Sequence, residues 1–165
     1  MKKILQAKEK VLRQKAEEIP VGNIKTVKIK KVLKEMAEAL GSQDDGVAIA
    51  APQIGYGLRI FIVSGKIFKK DKNPIFINPK ISKLSREKKW VPEGCLSIRP
   101  FYGKTFRSTK VRLTAYDENG KKFTRGASGL LAQILQHETD HLNGILFIDH
   151  AKDVKAELPV NKKNE

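Results

Sequence analysis

The sequence predicts an α+β fold in a single domain. Three observations carry this: an amphipathic helix from Thr26 to Leu40, short strand-forming runs through the middle of the chain, and a more apolar helix that starts near Ser128. With no internal repeat and no linker, residues 1–165 read as one unit. A domain of 165 residues buries roughly two thirds of the surface its unfolded chain exposes, so it needs no metal staple to fold.

In the first helix Ile29, Leu33, Met36 and Leu40 recur at helical spacing, and Gly41 stands where a helix end wants a residue tolerant of positive φ. This is an N-terminal surface helix with one buried stripe. The small-residue loop GSQDDGVAIAAPQIGYG then feeds two strands, Leu58 to Val63 and Ile75 to Ile77. Residues Val111 to Tyr116 alternate, Asn119-Gly120 supplies a turn, and Lys121 to Arg125 returns, which predicts a β-hairpin. Ser128 is the expected N-cap of the second helix, which packs through Leu130, Leu131, Ile134 and Leu135 and stops near Gly144. The tail, about 151–165, lacks a sustained apolar period and is expected to fray.

Composition narrows the function. No apolar stretch approaches the length of a membrane span, so no membrane association is expected. The opening MKKILQAKEK has only Ile4 and Leu5 as an apolar core, which predicts no export signal. A single cysteine, Cys95, excludes an internal disulfide and suits a reducing, cytoplasmic compartment. The net charge of +15 attracts polyanions. Its basic residues are scattered in pairs such as Lys69-Lys70, Lys88-Lys89 and Lys121-Lys122, with no interleaved aromatic platform. The expectation is a solvated basic surface with at most weak association to ribosomes, and no dedicated DNA binding.

The chemistry concentrates in QHETDHLNG, Gln136 to Gly144. On a helix His137 and His141 rise on one face, and Glu138, rotated by about 100°, reaches a water bound to the same ion. Two imidazoles do not complete a catalytic site. Phe147 stands where a metzincin-like third histidine would be, His150 lies three residues too late, and the short tail offers only Glu157 and Glu165. The third ligand is therefore sought upstream, where Cys95 in PEGCLS is the outstanding candidate. A lone cysteine is by default a small buried hydrophobe. Beside an incomplete HExxH, a thiolate and two neutral imidazoles would leave a divalent ion at net +1 with a fourth position open, as in catalytic sites.

Three segments in order, GVAIAAPQ (Gly46 to Gln53), EGCLS (Glu93 to Ser97) and QHETDHLNG, resemble the motifs GxGLAAxQ, EGCLS and QHExDHLxG of the peptide deformylase family. The first departs at Ala48 and Ile49. The resemblance implies antiparallel β-sheets around a central HExxH helix. It implies one divalent ion on Cys95, His137 and His141, with Fe(II) favoured and Ni(II), Co(II) or Zn(II) admissible. It implies removal of the formyl group from N-formylmethionyl peptides and nascent chains, with Glu138 as general base and then acid. The oxyanion donors would be the Leu96 N–H and the Gln53 side-chain amide. Val47, Val91, Leu130 and Ile134 would line the methionine pocket, and the segment from Val47 to Ile49 would take the substrate backbone as an added strand. The Ala48 methyl is then expected to alter affinity or side-chain preference. Asp140 would either receive a ligand histidine's second N–H or anchor the helix to a strand. Two other readings compete: an HExxH metallopeptidase, against which EGCLS argues, and a basic ribosome- or RNA-binding protein with an inactive metal site.

Overall fold

The computed structural model describes residues 1–157. Among them are two α-helices, α1 (Val27–Gly41) and α2 (Gly129–Leu142). The strands are β1 (Ala48–Ala50), β2 (Ile60–Val63), β3 (Ile75–Leu84), β4 (Lys88–Gly94), β5 (Phe101–Ser108), β6 (Lys110–Tyr116), β7 (Lys122–Ser128) and β8 (Lys152–Ala156). They form two sheets, β1-β2-β3-β6-β7 and β4-β5-β8, with every pairing antiparallel. The expected α+β fold around the HExxH helix is what the chain adopts.

The run Ile60–Val63 is apolar at every position because both faces of the five-stranded sheet are covered. Phe61 and Val63 pack toward α2 with Phe76, Leu113, Leu135 and Leu142. Ile60 and Ile62 pack toward α1 with Ile29, Val32, Met36 and Ile77. Phe61 and Phe76 stack at 4.7 Å, an arrangement worth about 0.5–1.5 kcal/mol beyond its buried area. The β6–β7 hairpin turns at Asn119-Gly120, with the Asp117 side chain accepting from the Asn119 and Lys121 N–H groups.

Helix α2 is held along its side and at its C-terminal end. Gln136 pairs its amide with the backbone of Ser108, accepting from the N–H at 3.0 Å and donating to the carbonyl at 2.9 Å. At the C-terminus the buried Arg59 guanidinium donates to the Leu142 carbonyl, a cation where the helix dipole favours one. The chain leaves the helix at Gly144 with φ 73, and a Cβ there would lie 2.5 Å from the Arg13 carbonyl oxygen.

Several sequence expectations are corrected. Gly41 is the last residue of α1 and does not take positive φ; Ser42 closes the helix in αR geometry, its hydroxyl donating to the Ala39 carbonyl. Val32 and Ala39 join the buried stripe, while Leu33 is only half-buried. Strands β4 and β5 carry mixed polar and apolar residues on both faces, so no alternation announced them. Pro92 is tolerated because β4 is an edge strand. Part of the tail does not fray: β8 pairs with β5 through Phe101–Ala156, Tyr102–Lys155 and Lys104–Lys152. The rest of that tail, 158–165, lies outside the described residues. Leu130, expected in the helix core, is 55% exposed.

Gly144→Ala should lower stability by at least about 2 kcal/mol, read as a shift in the urea midpoint, because it forces an alanine into positive φ against a backbone oxygen.

Candidate metal centre

Three chain segments meet at one point. The α2 helix supplies His137 and His141, and the turn after β4 supplies Cys95. Their ligand atoms all lie within 4.8 Å of one another, and Cys95 Sγ is 3.2 Å from His141 Nε2. His137 directs Nδ1 to the Glu93 carboxylate at 2.9 Å, which leaves Nε2 for the cluster and orients the ring. A soft thiolate and two imidazoles, one of them oriented by a carboxylate, fit a divalent transition-metal ion. The neighbouring Glu138 is 3% exposed, with Oε1 3.9 Å from His137 Nε2 and Oε2 lacking a protein partner among the described residues.

Phe147, at the position a third histidine would need, is instead core. It packs with Leu12, Ile98 and Leu146 beneath Cys95. His150 sits on the surface side, 3.5 Å from Asp140.

A buried charge network stands behind the ligands. Arg107 on β5 donates to both carboxylate oxygens of Glu93, at 3.1 and 2.7 Å, and to Asp140 on α2 at 2.7 Å. Thr105 adds a hydrogen bond to Glu93 at 3.0 Å. Asp140 thus anchors the helix to a strand and does not touch a ligand histidine. Burial opposes ionisation of Glu93, but His137 and Arg107 outweigh it and hold the carboxyl well below the usual range. Burial likewise opposes charge on His137, yet Cys95, Glu93 and Glu138 raise its pKa well above the ordinary value. His141 goes the other way, through burial and then the neighbouring His137. For Glu138 burial dominates and pushes the carboxyl up to about 7. A cation at the same donors favours the charged form and pulls back down.

The donors face a cleft of about 210 Å³ whose walls include Val47, Ala48, Gln53, Leu96, Leu130, Ile134 and Glu138. Of the four expected pocket residues, Val47, Leu130 and Ile134 are there. Val91 is not: it lies two residues before Glu93 on the same face of β4, one step further along the strand than the cleft reaches. Gln53 is buried, its Oε1 accepting from the Ala50 N–H at 2.8 Å. Its Nε2 donates to Ser97 Oγ at 3.1 Å and lies 3.6 Å from Cys95 Sγ. The Leu96 N–H has no protein acceptor among the described residues. The Ala48 methyl sits in the main core, 5% exposed, so it is accommodated in the fold.

The sequence reading missed Arg107 and the role of Glu93. EGCLS contains Glu93, but nothing in one dimension pairs it with an arginine 14 residues on.

A thiolate, two histidines and an adjacent buried glutamate at the floor of a cleft define a metal-dependent hydrolase on an α+β scaffold. The polypeptide deformylase family model matches residues 1–157. The chain is 41% identical over 130 residues to a peptide deformylase of Psychrobacter cryohalolentis, covering 79% of this chain and 70% of that one. It is 38% identical over 152 residues to one from Dehalococcoides mccartyi, covering 91% and 86%. The crystal structure of a peptide deformylase from Legionella pneumophila superposes with a TM-score of 0.84 at 33% identity, covering 93% of this chain and 87% of that one. The chain belongs to the peptide deformylase family.

Removing the Arg107 side chain strands the Glu93 carboxylate in a buried site. Arg107→Ala should cost about 3–5 kcal/mol in urea unfolding, and Glu93→Gln in the same chain should restore part of it.

Proposed function

We propose that Glu138, Gln53 and Leu96 carry out in this chain the chemistry of its family, removal of the N-formyl group from formyl-methionine termini of nascent polypeptides with release of formate. The chain is an enzyme of that family, and neither the metallopeptidase nor the inactive RNA-binding reading is supported. The observation that carries the residue roles is the convergence of Cys95, His137 and His141 beside Glu138 at the floor of the cleft.

Cys95, His137 and His141 would hold the ion, which supplies Lewis acidity and makes water a nucleophile near neutral pH. Fe(II) is our assignment on the family resemblance; Ni(II), Co(II) and Zn(II) suit the same donors. Glu138 Oε2, without a protein partner, accepts the proton of the attacking water and passes it to the departing amine. The Leu96 N–H donates to the oxygen that gains charge. Gln53 adds the Nε2 hydrogen that otherwise makes only a long contact to Cys95.

The methionine side chain sits against Val47, Leu130 and Ile134, where the exposed Leu130 loses water. Strand β1 is at the edge of its sheet, and the Ser64 N–H bonds the Val47 carbonyl. By ladder alternation the Ala48 N–H and carbonyl then point to the open edge, where the substrate backbone adds as a strand. Among the described residues no helix is long and apolar enough to cross a membrane. We place the enzyme in the cytoplasm with formylated nascent chains as partners, in weak association with ribosomes through its basic surface.

Anaerobically prepared protein should release formate from formyl-Met peptides; absence of formate overturns the reading. Glu138→Ala should lower kcat by about 10²–10⁴-fold while metal analysis still finds one ion per chain. Cys95→Ala should lose the ion. Gln53→Ala should lower kcat by about 10²–10³-fold with little change in KM, measured in the same assay.

A further inference from the structure

Trp90 is the chain's single tryptophan, and it stands on the outer face of the three-stranded sheet directly opposite Phe106. The two rings stack at 5.0 Å with 9° between their planes, and they remain 44% and 49% exposed. Lys152 Nζ lies 4.7 Å from the Trp90 ring and Lys88 Nζ 5.6 Å from the Phe106 ring, giving a run of cation, ring, ring, cation. Lys104 is paired with both Pro92 and Lys152 and shares this face. None of these positions is acidic, and among the described residues the ion pairs formed by lysine are Lys31–Glu35 and Lys80–Glu18, so Lys88, Lys104 and Lys152 keep their charge unspent. An aromatic platform absent from the linear sequence is therefore assembled by the register of β4 on β5.

We propose that this face binds single-stranded RNA. Paired aromatic rings on a flat sheet offer stacking surface to any base, and adjacent lysines offer charge to its phosphates. An exposed ammonium resting on a ring is a weak contact, so a base displaces it and the freed lysine reaches the backbone. An anionic membrane fits less well, since burying these rings in hydrocarbon would carry the ammonium groups with them. Glu93 beside the metal centre lies on the opposite face of β4, while Pro92 and Tyr102 on this face border the cleft, so the ring pair itself stands outside the cleft lining. The proposal rests on the ribosome association above only for the source of the RNA.

The test uses the metal-loaded full chain and a labelled single-stranded oligoribonucleotide of mixed sequence, with heparin and phosphatidylglycerol vesicles as polyanions without bases. Emission from the single tryptophan reads the contact without any substitution. RNA should quench it, and heparin should bind without quenching. Trp90→Ala with Phe106→Ala should weaken RNA binding about tenfold by anisotropy while turnover of formyl-Met peptides is unchanged. Lys88→Ala with Lys152→Ala should weaken it more than Lys69→Ala with Lys70→Ala, an equal loss of charge elsewhere. RNA binding with unchanged emission, equal loss in the two lysine pairs, quenching by vesicles but not RNA, or no RNA binding at about 50 mM salt each overturns the proposal. Deformylase turnover is read separately, so failure of RNA binding leaves the enzymatic reading intact.

Discussion

The site depends on one buried cation. Arg107 reaches from β5 to Glu93 on β4 and to Asp140 on α2, so a single guanidinium ties together the strand that leads into Cys95 and the helix that carries both histidines. A planar group with several donors suits this task where a lysine would not, because the Glu93 contact is two-pronged and the Asp140 contact lies off to one side. Desolvating three charges is costly, and the arrangement offsets that cost only because nearly every oxygen has a partner. In return the Glu93 carboxylate stays ionised, fixes the Nδ1 side of His137 and presents Nε2 to the cleft.

Other constraints hang from the same frame. Gln136 locks the flank of α2 to Ser108, and Arg59 closes its C-terminus. Gly94, just before Cys95, lets the Tyr102 ring pack where a side chain would begin, since the ring lies 2.5 Å from the position a Cβ would take and would have to move for one. Cys95 is therefore delivered from a turn pressed against its own hairpin partner, while Phe147 fills the space beneath it. Such packing leaves the donors little freedom, which favours a preorganised metal site over one assembled on binding.

Much of this was legible one residue at a time. The 3.6-residue period of α1, the Asn119-Gly120 hairpin and the helical placement of His137, Glu138 and His141 follow from local geometry that needs no partner. Cys95 was reachable because a cluster with two histidines demands a third donor and the chain has a single thiol. Strand β8 was not legible: Lys152–Ala156 is exposed at every position, and only pairing with β5 makes it a strand. Val91 and Leu130 were assigned from position in a pattern, whereas their exposure is decided by how far the cleft extends along β4 and α2.

By itself the sequence determined the α+β class, the two helices and the three candidate donors, because each depends on spacing along the chain or on the chemistry of a few residue types, and its three motifs resembled those of the family. Only the tertiary structure decided which residues face the cleft, which carboxylate orients His137, and that Trp90 meets Phe106. The Trp90–Phe106 and Glu93–His137 contacts join residues 16 and 44 apart, and the cleft gathers residues still further apart; all are set by the antiparallel register of β4 on β5 and the docking of α2, and no local propensity encodes a register.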